Sequence, residues 1–212
     1  MNVRAAYNIW ADQYDTNDNK TRDLEAKSLK ETLNGLNFSD CLEIGCGTGK
    51  NTEWLLSKAK NILAIDLSDE MLEKAKSKIK SDKVQFIQAD INNEWDFSNN
   101  EKFDMMTFSL VLEHIQDLNK IFEKLKKVSA EEGYVYVGEL HPFKQYNGTK
   151  ARFETENGLQ IVTCFNHNIS DFTIAAKRNN FKILDVNEYF DDSDRNNIPR
   201  ILTLLLQKEA HN

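Results

Sequence analysis

Residues Leu42-Glu43-Ile44-Gly45-Cys46-Gly47-Thr48-Gly49-Lys50-Asn51-Thr52 carry a short apolar strand into three glycines at alternate positions, and then into a helix. Glycine accepts positive φ and puts no side chain over the turn, so a ligand can lie directly on the backbone. The helix aims its free N–H groups and its positive dipole end at the same spot. This stretch is the floor of a nucleotide-type cofactor site.

The rest of the chain continues the alternation. Short, mostly apolar strands are expected at 40–44, 61–67, 84–89, 103–109 and 133–139. Between them lie a helix through Trp54, Leu55 and Leu56, one over 69–80 with Ser68 as its cap, and one over 117–128 with Ile121, Phe122, Leu125 and Val128 on one face. Strands that are apolar throughout suit a parallel sheet covered on both faces, and strand–helix alternation gives a doubly wound α/β fold. A further helix is expected over 169–179, then strands at 181–189 and 201–207. The last two are too close in sequence for a crossover, so they should run antiparallel.

Two segments break the rhythm. Tyr7, Trp10 and Tyr14 recur at helical spacing, so residues 1–36 read as an N-terminal helical cap, packed on the core or closing as a lid over the cofactor. Residues 140–168 read as an inserted hairpin over the mouth of the sheet, with Asn157-Gly158 as its turn. With no internal repeat or linker, residues 1–212 are expected to form one domain.

In such a sheet, ligands bind beyond the carboxyl ends of the strands where the strand order reverses. Those ends deliver Gly45 to Gly49, Asp66, Asp90 with Ile91, Ser109 to His114, and Glu139 with His141. Asp66 is placed to accept hydrogen bonds from ribose hydroxyls, and Asp90 to accept from an adenine amine. A pyrophosphate binder would want glycine or alanine at the sixth position of the loop, where this chain has Lys50. Glu43 would repel a pyrophosphate but suits a ligand bearing positive charge.

Taken together, Leu42 to Gly49, Ala64-Ile65-Asp66-Leu67-Ser68 with Met71-Leu72, Gln88-Ala89-Asp90, Phe103-Asp104-Met105, Leu112-Glu113-His114-Ile115 and the Gly133 turn resemble the class I S-adenosylmethionine-dependent methyltransferases over about residues 38–140. Trp10 to Asp15 is similar to the lead-in helix of their small-molecule members. The resemblance implies a Rossmann-like, seven-stranded, mostly parallel sheet with an antiparallel last strand, and S-adenosylmethionine as cofactor. It implies that Glu43, Gly45, Cys46, Gly47 and Gly49 hold the methionine part, Asp66 the ribose and Asp90 the adenine, with Ser109 and Leu110 on the methionyl side. Tyr14, Leu67, Met71 and Ile91 complete the expected cofactor set. S-adenosylhomocysteine would be the product.

Methyl transfer needs a base only when the acceptor must lose a proton. His114, His141 and His167 fall near the expected mouth; each is a candidate base, or a histidine held by its neighbours. His211 is tail. Arg152 with Lys150 could receive a substrate carboxylate or sit as solvated surface, and Phe143, Tyr146 and Phe153 could wall an acceptor pocket or pack the hairpin. A net charge of −7 with no basic patch argues against extended nucleic-acid contact. The acceptor is therefore expected to be a small molecule, methylated on oxygen or nitrogen. The alternatives are a methyltransferase acting on tRNA or protein, and a non-catalytic binder or nicotinamide oxidoreductase. Cys41, Cys46 and Cys164 fit neither a disulfide framework nor a zinc site. With no apolar leader after Met1 and no membrane-length run, the expectation is a cytoplasmic monomer or homodimer that binds no metal.

Overall fold

The computed structural model describes residues 1–156, 158–192 and 194–210. In chain order the elements are α1 (Val3–Tyr14), α2 (Lys20–Leu33), β1 (Asp40–Ile44), α3 (Lys50–Leu55), β2 (Asn61–Asp66), α4 (Asp69–Lys78), β3 (Val84–Gln88), β4 (Phe103–Ser109), α5 (Leu118–Val128), β5 (Ser129–Leu140), α6 (Pro142–Tyr146), β6 (Arg152–Thr155), β7 (Gly158–Ile161), α7 (Ile169–Arg178), β8 (Phe181–Tyr189) and β9 (Ile201–Lys208). Seven strands form one sheet in the order β3-β2-β1-β4-β5-β9-β8. β1 to β5 are mutually parallel, and β9 inserts antiparallel between β5 and β8. The Rossmann-like sheet expected from the alternation, with its antiparallel last strand, is therefore present.

The two faces are covered by different helices. Leu29 and Leu33 of α2, Leu55 of α3 and Leu72 of α4 pack with Cys41, Ala64 and Tyr136 on one side. On the other, Ile121, Phe122 and Leu125 of α5 and Phe172 of α7 pack with Leu42, Phe108 and Val137. The alternation of side chains along β5, with Tyr136 to one face and Val137 to the other, joins the two layers.

Local signals fix the helix starts. The Ser68 hydroxyl accepts the Met71 amide at α4, and the Asp117 carboxylate accepts the Lys120 amide at α5. At α3 the cap is Gly49 at φ +84°, a left-handed turn that glycine reaches without strain.

The sequence pattern underestimates two regions. β5 begins at Ser129, not near Gly133, because the polar Ser129-Ala130-Glu131-Glu132 stretch joins the sheet past a register shift opposite Phe103. Residues 140–168 also contain α6, which the hairpin reading leaves out; Pro142 at its first turn and the His141 side chain at its cap start it. β6 and β7 do pair as an antiparallel hairpin. Asn157 of its expected turn and His211 lie outside the described residues. No described helix is long and apolar enough to cross a membrane.

Candidate cofactor site

β1 hands on to β2 on one side and neighbours β4 on the other, so the strand order reverses at β1. A cavity of about 230 Å³ opens beyond the carboxyl ends there. Its floor and walls come from Gly45 and Gly47 after β1, Asp66 and Leu67 after β2, Asp90 and Ile91 after β3, and Ser109, Leu110 and His114 after β4. Met71 reaches it from α4, and α1 roofs it with Val3, Tyr7 and Tyr14.

The roof is tied down on several sides. The Thr48 hydroxyl donates to Asp15 (2.6 Å) and the Ser68 hydroxyl to Asn8 (2.6 Å). Arg22 donates to the Tyr14 and Asn17 carbonyls and stacks over the Tyr14 ring. Outside, Phe153 of the hairpin stacks on Trp10 with ring centroids 5.0 Å apart. It is thus α1 that lines the cavity, and the hairpin braces α1 from behind.

The glycines differ in what they do. Gly45 has φ +73°, and a Cβ there would lie 2.2 Å from the Val111 side chain, so the loop after β4 packs onto bare backbone. A Cβ on Gly49 would meet Ile79 at 2.7 Å, a packing constraint away from the ligand. At Gly47 a Cβ would meet only Tyr14, at 4.0 Å; this glycine keeps the floor open. The Gly47 amide donates to one Asp66 oxygen and the Ser68 amide to the other, each at 2.8 Å. These bonds fix the carboxylate while each oxygen keeps a lone pair for a ligand hydroxyl.

Five acids stand in or behind the cavity wall, Asp66 among the lining residues and the other four buried. Burial pushes Glu25 up to about 7, and Glu43 and Glu139 up to about 8; Asp66 and Glu113 are raised by burial as well. None of the five belongs to an ion pair among the described residues. Glu43 accepts from the Thr52 hydroxyl at 2.5 Å. Glu25 accepts from Asn51, whose amide also donates to Ser109 on the cavity wall (3.1 Å), while the buried Asn51 Oδ1 has no partner. Carboxyl groups held this way favour a cationic ligand. This set of acceptors fits a sulfonium with a nearby ammonium and a ribose.

Of the three candidate histidines, the structure puts His114 in the cavity wall. Its Nδ1–H donates to the Thr163 carbonyl (2.8 Å), since a carbonyl can only accept. In the neutral ring, Nε2 then holds the lone pair, facing the Tyr7 hydroxyl at 2.9 Å. His141 is fully buried away from the cavity. Its Nδ1 accepts the Phe143 amide (3.2 Å), which leaves Nε2–H to donate to Glu188 (3.0 Å). His167 donates from Nε2 to the Ile115 carbonyl (2.7 Å) and sits in a separate surface groove beside α7.

Glu113, His114 and Cys164 bring ligand-type atoms within 4.8 Å of one another. Burial and the Glu113 charge push the Cys164 thiol up to about 12, so it stays protonated, and His114 Nδ1 is engaged by a carbonyl. This group reads as a hydrogen-bonded wall. Glu43, Cys46 and Gly49 lie behind the cavity lining rather than in it, and Phe143 and Tyr146 face solvent. Sequence reasoning passed over Asn2, Val3 and Tyr7 as lining residues; the Tyr7-Trp10-Tyr14 stripe was the available signal, and it does not say which ring turns inward.

A family model described as a methyltransferase domain matches residues 42–137. An uncharacterized methyltransferase, AN0656, of Emericella nidulans is 26% identical over 86% of this chain and 76% of its own length. A ubiquinone biosynthesis O-methyltransferase of Glaesserella parasuis is 27% identical; the match covers 53% of this chain and half of the relative. The solved DhpI–SAH complex superposes with a TM-score of 0.76 over 98% of this chain and 95% of that one, at 21% identity.

Proposed function

We propose that this chain is a class I S-adenosylmethionine-dependent methyltransferase that transfers the methyl group to an oxygen or nitrogen atom of a small-molecule acceptor. The observation that carries this reading is the roof. The chain's own α1, braced by the hairpin, closes over the cavity with Tyr7 and Tyr14, which favours a small acceptor over a macromolecular one. A net charge of −7 and a relative named for ubiquinone biosynthesis support it.

Bound S-adenosylmethionine supplies an activated methyl group on a sulfonium, with a neutral thioether as leaving group. The chain's part is alignment and desolvation, which can supply most of the acceleration in such a displacement. Asp66 orients the ribose and the buried acids favour the cation. By holding the ribose, Asp66 would present the methyl carbon to the acceptor atom, the carbon–sulfur electron pair leaving with sulfur. The acceptor proton passes to His114 Nε2, directly or through the Tyr7 hydroxyl that faces it. The Nδ1–H bond to Thr163 holds the imidazole in the tautomer that can accept.

The test is S-adenosylhomocysteine release measured with a panel of hydroxylated and amine metabolites, and in parallel with unmodified tRNA and protein. Release that depends on a metabolite supports the reading. Release only with tRNA or protein overturns it.

A further inference from the structure

We propose that Glu139 is a positioning residue for methyl transfer: from the end of β5 it holds the turn that carries Leu110, Val111 and His114 in the cavity wall. This rests on reading that cavity as the reaction site. The Glu139 carboxylate is 1% exposed and accepts three successive amides, from Val111 (2.9 Å), Leu112 (2.7 Å) and Glu113 (3.3 Å). These are the free N–H groups at the start of a single-turn 3-10 helix, Leu112–His114. The local sequence offers no cap, because the residue in the cap position is Val111, with no side-chain hydrogen bond to give. A strand 26 to 28 residues further along supplies the missing acceptor.

The turn is also one that would not hold its shape unaided. Leu110 sits at φ +58°, a region a leucine avoids. Its amide is fixed to the Gly138 carbonyl (2.8 Å), next to Glu139. Val111 then packs into the space left by the missing side chain of Gly45. One carboxylate and its neighbouring carbonyl therefore set the distance between the β4 wall and the glycine floor. His114, at the end of the same turn, takes its place opposite Tyr7 from that geometry. A shift of this wall misaligns the acceptor side while leaving Asp66 and the ribose seat untouched.

The test compares Glu139→Gln and Glu139→Asp with the unaltered protein in four readouts: melting temperature, calorimetric affinity for S-adenosylhomocysteine, amide hydrogen exchange, and turnover with an acceptor found in the panel. Glutamine keeps the volume but offers its NH₂ to one of the amides. The Val111, Leu112 and Glu113 amides of Glu139→Gln should exchange about tenfold faster or more, while the sheet keeps its protection. The kcat should fall about 10- to 100-fold at a KM and cofactor affinity changed by less than about threefold. Aspartate, which keeps the carboxyl group on a shorter side chain, should recover part of both effects. Unchanged exchange at these three amides overturns the proposal, and so does a kcat loss matched by equal losses of affinity and melting temperature. If the unaltered protein turns over no panel compound, the small-acceptor reading has failed, and the exchange of the three amides still decides whether Glu139 holds the turn. If the glutamine variant does not fold, the aspartate variant carries the same comparison.

Discussion

Replacing Asp66 by alanine removes the group on which the cofactor seat depends most. Its two oxygens are fixed by the Gly47 and Ser68 amides at 2.8 Å and keep one lone pair each for the ribose hydroxyls. A hydrogen bond to a charged acceptor contributes about 1.5–3 kcal/mol. Losing two costs about 3–6 kcal/mol, which corresponds to about a 10²- to 10⁴-fold weaker Kd. Calorimetric titration with S-adenosylhomocysteine measures this directly. The Gly47 and Ser68 amides also lose an acceptor, so the melting temperature should be recorded alongside, to separate lost affinity from lost fold. Asp66→Asn keeps one acceptor oxygen and should fall between. A folded Asp66→Ala protein that binds within about threefold of the original would show that Asp66 does not hold the ribose, since even one such bond is worth about a factor of ten.

Gly45→Ala combines positive φ with a Cβ 2.2 Å from Val111; strain of about 2 kcal/mol should lower the melting temperature by about 4–8 °C, and an unchanged melt would show that the two loops are not in contact. His114→Ala should bind S-adenosylhomocysteine normally but turn over more slowly by about 10²-fold, as expected for loss of a general base; unchanged turnover removes His114 from the chemistry. Buried carboxyls with raised pKa hold protons in the folded chain that the unfolded chain has already released, so they cost stability as pH rises from the ordinary carboxyl range. Glu25 near 7 and Glu43 and Glu139 near 8 should make the ligand-free melting temperature fall between about pH 5 and 8. His141, whose pKa burial lowers, works the other way, one group against five raised carboxyls. A melting temperature that rises across this window would contradict the charge assignment.

The cofactor half of the site was legible because its signals are local. The glycine loop, Asp66 and Asp90 stand at the ends of apolar segments, and strand–helix alternation alone brings such ends to one crevice. The other half depends on contacts that no pattern announces. His114 meets Tyr7 across 107 residues, and Glu139 caps a turn 26 to 28 residues earlier. His114, His141 and His167 looked equivalent as residues after strands. Their surroundings separate them: the Phe143 amide and Glu188 hold both nitrogens of His141 away from the cavity, while His114, whose Nε2 faces the Tyr7 hydroxyl, is the one of the three that lines it. α6 was missed because five residues give too little periodicity to read, and the start of β5 because its first four residues pair at the sheet's end without an apolar face.

What the cavity above β1 to β4 binds decides the function of the chain. Titration calorimetry with S-adenosylhomocysteine and, separately, with NAD measures it. The predicted result is saturable binding of S-adenosylhomocysteine at one site per chain and none of NAD. Binding of NAD in its place, or of neither, would contradict the account.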